Sequence, residues 1–218
     1  MTKKIIIFPF GGNAREALLS ILAINKTRKE WDVIGFVDDE PSTWKKECCG
    51  VKVLGDRSVF KKYSDSKVLA VPGNPDNYLK RESIIEGLGV DSARFATIID
   101  PSVKISPDAK VGYNTVLMPN IVITCGVNIG NHCVVLPNTS ILHDSNIGDY
   151  CLIGSNVSIA GKISIGSTCY IGSGTRIREN TSVGERTLTG MGSNIISDVE
   201  EGVVVVGNPA RVMRKVKE

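Results

Sequence analysis

An aliphatic side chain recurs at every sixth residue from Ile105 to Ile195, without a single insertion. Fifteen of these sixteen positions carry Ile, Val or Leu, and the exception is Thr189. A period of six fits neither an α-helix of 3.6 residues per turn nor a plain two-residue alternation. It fits short β-segments joined by sharp corners, because the aliphatic residue and the residue two before it then share one face. Three such segments close one triangular coil.

A second period, three times as long, supports closed coils. Gly follows eight of these sixteen positions, Thr189 among them, and Gly and Asn are expected at the corners, where a positive φ costs them little. Two series repeat at intervals of 18 residues: Gly112, Gly130, Gly148, Gly166 and Gly184, and Cys133, Cys151 and Cys169. The cysteines are expected to stack as an inward ladder of small buried side chains rather than to hold a metal. The sequence therefore predicts a parallel β-solenoid over residues 100–200.

The first 99 residues have a different texture, in which apolar strands alternate with helical segments. The pattern predicts one helix after Gly12, capped by Asn13, and a second from Asp76 to Glu86. The expected strands are Lys4–Phe8, Val33–Val37, Val68–Val71 and Phe95–Ile99. Such alternation favours a small parallel sheet of Rossmann-like βαβ type.

Polar segments follow three of these strands, at the sheet edge where α/β folds bind ligands. Glycines at the start of a helix allow a phosphate to approach backbone N–H groups, and acids after a strand can hold a ribose or a base. The candidates are Gly11, Gly12 and Asn13, then Asp38 and Asp39, then Gly73 and Asn74. No complete G-x-G-x-x-G fingerprint is present, so an ordinary turn with solvated acids explains the spacing equally well.

Composition excludes several classes of protein. The chain has 218 residues with 26 Lys and Arg against 23 Asp and Glu, and no segment concentrates the net charge of +3, which argues against nucleic-acid binding. No apolar run approaches the ~18 residues of a membrane span. The six cysteines form no C-x-x-C pair, which argues against a zinc knuckle or a disulfide framework and favours a reducing cytoplasm.

Only two histidines can serve as bases, His132 and His143. Both follow inward aliphatic residues and are expected to point outward. Asp144 beside His143 could hold one ring nitrogen and leave the other as a base, although an outward histidine is also a common solvated surface residue. The pair does not match the three-histidine zinc site of carbonic anhydrases built on such prisms, so we predict no catalytic metal.

The chain resembles one family over essentially its whole length. The resemblance rests on a small βαβ region before the coils, on Ile141-Leu142-His143-Asp144 in mid-prism, and on the closing segment Val206-Gly207-Asn208-Pro209-Ala210-Arg211. The family is that of the sialic acid O-acetyltransferases and the bacterial nucleotide-aminosugar N-acetyltransferases, including the bacillosamine-pathway enzyme. It implies a left-handed parallel β-helix, acetyl-CoA as cosubstrate, and a homotrimer with sites between subunits.

The resemblance also implies roles for individual residues. His143 would be the general base and Asp144 its partner, while the glycine, Asn and Asp residues of the N-terminal loops would hold the nucleotide-sugar. Gly161 would offer its N–H to the thioester. The coenzyme path would be lined by Ser173, Gly190, Asn208, Pro209, Ala210 and Arg211. The implied domains are 1–99 for the nucleotide-sugar, 100–200 for acetyl transfer and a tail at 201–218 near the coenzyme.

Three functions remain open from sequence. The first is N-acetylation of a nucleotide-linked amino sugar, expected to be a 4-amino deoxysugar of a bacterial surface glycan or glycoprotein. The second is O-acetylation of a sugar of the sialic acid type by the same residues. The third is a prism without catalytic activity that binds a nucleotide-sugar. A nucleotide-binding region favours the first, because free sialic acid would not need one.

Overall fold

The N-terminal region of the computed structural model, which describes residues 2–217, is a small α/β unit. Its strands are β1 (Lys3–Phe8), β2 (Trp31–Phe36), β3 (Glu47–Cys48), β4 (Val51–Lys52) and β5 (Lys67–Ala70). Its helices are α1 (Gly12–Thr27), α2 (Val59–Lys62) and α3 (Arg81–Glu86), with 3₁₀ turns at Pro41–Thr43, Tyr78–Lys80 and Ser92–Arg94. Strands β2, β1 and β5 form a parallel sheet in that order. This confirms the Rossmann-like βαβ prediction.

The fourth predicted strand, Phe95–Ile99, divides between two structures. Phe95 makes a single parallel bridge to Val68 of the N-terminal sheet. Ile98 and Ile99 pair instead with Val116 and Leu117 of the prism. The apolar run therefore passes from one unit to the next without a linker, and a periodicity argument sees it as one strand.

Both predicted helices begin differently from the expectation because local side chains have other partners. Gly11 is the N-cap of α1 without a side-chain bond, and Asn13 instead donates to the carbonyl oxygen of Gly73 at 3.0 Å. In the segment predicted to be helical from Asp76, the Asn74 side chain accepts from the N–H of Asp76, and Asn77 accepts from Asn74. These local bonds compete with helix formation.

The prism is built from two-residue strands that recur every six residues. They are β6 (Ile98–Ile99), β7 (Lys104–Ile105), β8 (Lys110–Val111), β9 (Val116–Leu117), β10 (Val122–Ile123), β11 (Asn128–Ile129), β12 (Val134–Val135), β13 (Ser140–Ile141), β14 (Asn146–Ile147), β15 (Leu152–Ile153), β16 (Ser158–Ile159), β17 (Ser164–Ile165), β18 (Tyr170–Ile171), β19 (Arg176–Ile177), β20 (Ser182–Val183), β21 (Leu188–Thr189) and β22 (Asn194–Ile195). Every third strand belongs to the same parallel sheet, so the prism has three faces, and we name each face by the number of strands in its sheet. The eight-stranded face starts at β6, the six-stranded face at β7 and the five-stranded face at β8.

The prism core is the predicted column of aliphatic side chains. Ile141, Ile153 and Ile171 are fully buried, and burial of each such side chain contributes about 1.5–3 kcal/mol relative to exposure. The predicted cysteine ladder is confirmed: Cys133, Cys151 and Cys169 are buried. Each thiol donates to a backbone carbonyl on the following coil, at 3.1–3.2 Å. The repeat therefore specifies both the fold and its inward face.

At most corners the residue three positions after the aliphatic residue has positive φ, and Asn and Gly both occur there, with Gly126, Gly174 and Gly192 at 68–73°. Asn114, Asn138 and Asn156 have φ values between 53° and 62°, as predicted. The glycines that directly follow the aliphatic residues do not have positive φ, which corrects our expectation. Their role is close stacking, because a Cβ at Gly148 would lie 2.6 Å from the backbone nitrogen of Ser167 on the next coil.

The tail extends the eight-stranded face. Strand β23 (Val203–Gly207) pairs in parallel with β21, and β24 (Ala210–Lys215) folds back on it antiparallel. Asn208 and Pro209 form the turn between them. The outer strand leaves Val212 and Met213 exposed, and Met191 is 79% exposed.

His132 is buried, so it is not the solvated surface residue that its predicted outward position suggests. It lies outside the coil, but the N-terminal region covers it, so only 4% of the residue is exposed. Its ring stacks on Tyr150 with centroids 4.7 Å apart, and its Nδ1 accepts from Asn114 Nδ2 at 2.7 Å. Burial, together with the nearby Arg81 guanidinium, lowers the pKa of His132 to about 4. The hexad pattern could not show this, because the covering residues belong to another unit.

We expect His132 to make the protein less stable in mild acid. Above its ordinary pKa of about 6.5 the ring is neutral both folded and unfolded. Between about 6.5 and 4 only the unfolded chain binds the proton, so stability falls as the pH falls, by up to about tenfold in the folding constant per pH unit. The urea midpoint of wild type should drop from pH 7 to pH 5 more than that of His132→Phe. Equal drops would contradict this role.

Candidate active site

His143 lies on the edge between the six- and five-stranded faces, in the corner between β13 and β14. Its Nδ1 is 3.0 Å from Asp144 Oδ2, and both side chains are more than half exposed. A carboxylate accepts only from a protonated nitrogen, so this contact places the proton of the neutral ring on Nδ1. The other nitrogen, Nε2, then carries the free lone pair that a general base requires.

Gly161 lies one coil beyond His143 and directly against its ring. A Cβ at this position would lie 2.5 Å from His143 Cε1 and closer still to Nε2. The residue is buried, and its N–H donates to no acceptor within residues 2–217. Buried donors are nearly always paired, so the unpaired N–H of a buried residue packed on the imidazole is the kind of group that can stabilise a developing oxyanion. The arrangement suits proton removal coupled to attack on a carbonyl.

The N-terminal loops form a cavity of about 470 Å³ beyond β1 and β5. It gathers six of the seven predicted nucleotide-sugar residues: Gly11, Gly12, Asn13, Asp39, Gly73 and Asn74. Gly73 has a φ of +116°, a backbone conformation that glycine adopts readily. The volume lies in the ordinary range for small-molecule sites.

The two acids after β2 have separate roles. Asp38 is almost buried and accepts from the backbone N–H groups of Phe10 and Glu40, each at 2.8 Å, so it holds the loops rather than lining the cavity. Asp39 pairs with Arg57 at 2.6 Å, and this guanidinium lowers the pKa of the carboxyl. Sequence reasoning missed Arg57. Together Asp39 and Arg57 also border an adjoining cavity of about 1000 Å³.

The predicted coenzyme residues divide between two edges of the six-stranded face. Gly161 lies with His143, whereas Ser173 and Gly190 lie on the opposite edge, next to the eight-stranded face. Ser173 Oγ accepts from the N–H of Ser155 at 3.2 Å. Within one subunit, therefore, Ser173 and Gly190 do not lie beside Gly161 and His143.

A shallow cavity of about 390 Å³ lies on the six-stranded face between those edges. Asn208 from the tail and Ala160, which precedes Gly161, both line it. Arg176 and Arg178 also line it and supply positive charge there. Sequence reasoning missed both arginines, although their outward positions on either side of Ile177 were a usable signal.

The other tail residues lie nearby. Ala210 and Arg211 line a second cavity of about 480 Å³ between the hairpin and the last coil. Pro209 lies in the turn beside Asn208 and borders neither cavity. Among the described residues there is no cluster of three or more His, Cys, Asp or Glu side chains that could hold a metal ion. Nor does any helix within residues 2–217 have the length and apolarity to cross a membrane.

Comparison with protein families places the coils in a known group. The profile of the GMPPB C-terminal domain matches residues 94–216. The chain belongs to this family. A search of curated protein sequences finds no match.

Solved structures of the same architecture match nearly the whole chain. PerB from Caulobacter crescentus, in complex with CoA and GDP-perosamine, is 25% identical over 97% of both chains, with a TM-score of 0.83. The acetyltransferase domain of PglB from Neisseria gonorrhoeae is 23% identical over 97% of this chain and 100% of that one, with a TM-score of 0.86. WeeI from Acinetobacter baumannii is 23% identical over 98% and 100%, with a TM-score of 0.81. The predicted left-handed β-helix and the resemblance to hexapeptide-repeat sugar acetyltransferases are confirmed.

Proposed function

We propose that the protein is an acetyl-CoA-dependent N-acetyltransferase that acts on a nucleotide-linked amino sugar. The observation that carries the proposal is the His143–Asp144 pair, whose free Nε2 packs against Gly161, a buried residue whose N–H has no acceptor among the described residues. The N-terminal cavity supports it, because it gathers most of the residues expected to hold the nucleotide-sugar. The likeness to PerB, which binds CoA and GDP-perosamine, adds support for both substrates.

In the proposed reaction the sugar amine attacks the acetyl carbon while His143 Nε2 takes its proton. A bond forms between nitrogen and the carbonyl carbon, the carbon–sulfur bond breaks, and CoA leaves as the thiol with the proton that His143 took from the amine, which restores the neutral imidazole. Asp144 holds the ring in the tautomer that leaves Nε2 free. The N–H of Gly161 supports the carbonyl oxygen as negative charge develops on it. Most of the remaining rate enhancement comes from holding two substrates together.

Each region of the chain has its own part in the proposed reaction, and the complete site requires association of subunits. Residues 1–99 bind the nucleotide-sugar, 100–200 carry out the transfer, and the tail at 201–218 contacts the coenzyme. Ser173 and Gly190 can meet His143 only if a second subunit presents its opposite edge, as in a homotrimer. Exposed apolar side chains on and beside the six-stranded face, Val122, Ile196 and Met191, suit such an interface. A cytoplasmic location remains a prediction.

The test is thiol release from acetyl-CoA with a panel of 4-amino sugars linked to UDP, dTDP or GDP, together with free sialic acid. Turnover on one nucleotide-linked amino sugar is expected, and mass spectrometry should find the acetyl group on nitrogen. Turnover on sialic acid alone would instead establish O-acetylation. No turnover on any of them, with nucleotide-sugar binding intact, would favour the prism without catalysis. Light scattering of the same sample should give three times the monomer mass.

A further inference from the structure

Arg81, the first residue of α3, is a fully buried cation that the proposed reaction does not use. It has no salt-bridge partner among residues 2–217. Burial of a charge is strongly unfavourable unless its hydrogen-bond donors are satisfied. The energetic compensation must therefore come from hydrogen bonds, and their partners show what the residue holds together.

The guanidinium donates to three backbone carbonyls from three separate segments. Nη1 donates to Pro72, Nε donates to Tyr150 at 3.0 Å, and Nη2 donates to His132 at 2.5 Å. Pro72 opens the loop that carries Gly73 and Asn74 into the N-terminal cavity. His132 and Tyr150 occupy equivalent corners of consecutive coils, on the edge between the five- and eight-stranded faces. The planar guanidinium thus connects the loop of Pro72, Gly73 and Asn74, which we call the substrate loop, to the prism.

The loop and the arginine are closely fitted to each other. A Cβ at Gly73 would lie 2.9 Å from Arg81 Cγ, so the backbone of the loop rests on the side chain. The Asn13 amide holds the same loop from the other side, at the Gly73 carbonyl. The loop therefore has little room to move while Arg81 keeps its three bonds.

We propose that Arg81 is a positioning residue that fixes the substrate loop at Pro72, Gly73 and Asn74 relative to the prism. The inference rests on the proposed function, because it matters for turnover only if this loop presents the sugar amine. A guanidinium is suited to the task since its donors lie in one rigid plane and point to several acceptors at once. A lysine keeps the charge but cannot reproduce the fork.

The experiment compares Arg81→Lys with Tyr78→Phe. Tyr78 also joins the two units, through a hydrogen bond from its hydroxyl to the Arg186 carbonyl at 2.9 Å, but it does not contact the loop carbonyls. Arg81→Lys should lower kcat for the amino-sugar substrate about tenfold, with the KM for acetyl-CoA within about twofold of wild type. Tyr78→Phe should retain wild-type kcat. Arg81→Met, which removes the charge at similar length, serves if the lysine variant does not fold.

Hydrogen exchange separates this inference from the proposed function. Amides of residues 73–77 should exchange faster in Arg81→Lys than in wild type, and Tyr78→Phe should leave them unchanged. Faster exchange without turnover on any sugar in wild type would support the positioning of the loop and contradict the proposed function. Unchanged exchange, or an equal loss of kcat in both variants, would overturn the role of Arg81.

Discussion

Replacement of His143 by asparagine should lower kcat on the amino-sugar substrate by about 10²–10⁴-fold, the usual contribution of a general base. Asparagine is shorter and has no basic nitrogen, so the position occupied by Nε2 is left without a proton acceptor. The KM for acetyl-CoA and the melting temperature should change little, because the ring is half exposed and outside the core. Steady-state thiol release measures kcat and KM, and differential scanning fluorimetry measures the melting temperature.

The control for this prediction is the other histidine. His132→Phe keeps a ring between Tyr150 and Phe95, and Asn114 keeps its bonds to Ala70. The variant should retain wild-type kcat, since His132 is buried away from the edge that carries His143. Equal losses from the two substitutions would remove His143 from the proposed mechanism.

His143 is exposed at an edge of the prism and His132 is buried, and this difference shows how far the sequence predicts the site. The column from Ile105 to Ile195 predicts the prism because burial acts within a single coil, and every coil repeats it. The burial of His132 and the burial of the Arg81 charge depend on how the two units pack against each other. A repeat within one unit carries no information about that packing. Gly148 gives a subtler case. The sequence shows that this glycine recurs in the repeat. The reason, close contact with the backbone of the next coil, is seen only in the folded structure.

Substitution of Gly161 by alanine should lower kcat by about 10²-fold without unfolding the protein. Gly161 has no positive φ, so the new methyl group introduces no backbone strain. It would instead meet Cε1 and Nε2 of His143 well inside van der Waals contact, and the exposed imidazole is the group that can move. A displacement of about 1 Å from a productive geometry can cost this much in rate.

The comparison variant is Gly50→Ala, where φ is +78° and open space surrounds the position. It should lower stability while kcat remains that of wild type.

A double-mutant cycle decides whether the methyl group acts through the imidazole. If it does, Gly161→Ala should cost about 10²-fold in the wild-type background but little in the His143→Asn background, because the displaced base is already missing. Independent effects that multiply would mean that the alanine disturbs something else, such as the approach of a substrate to the Gly161 N–H. The coupling between two residues 18 positions apart thus measures how much of the catalytic geometry depends on the stacking of one coil on the next.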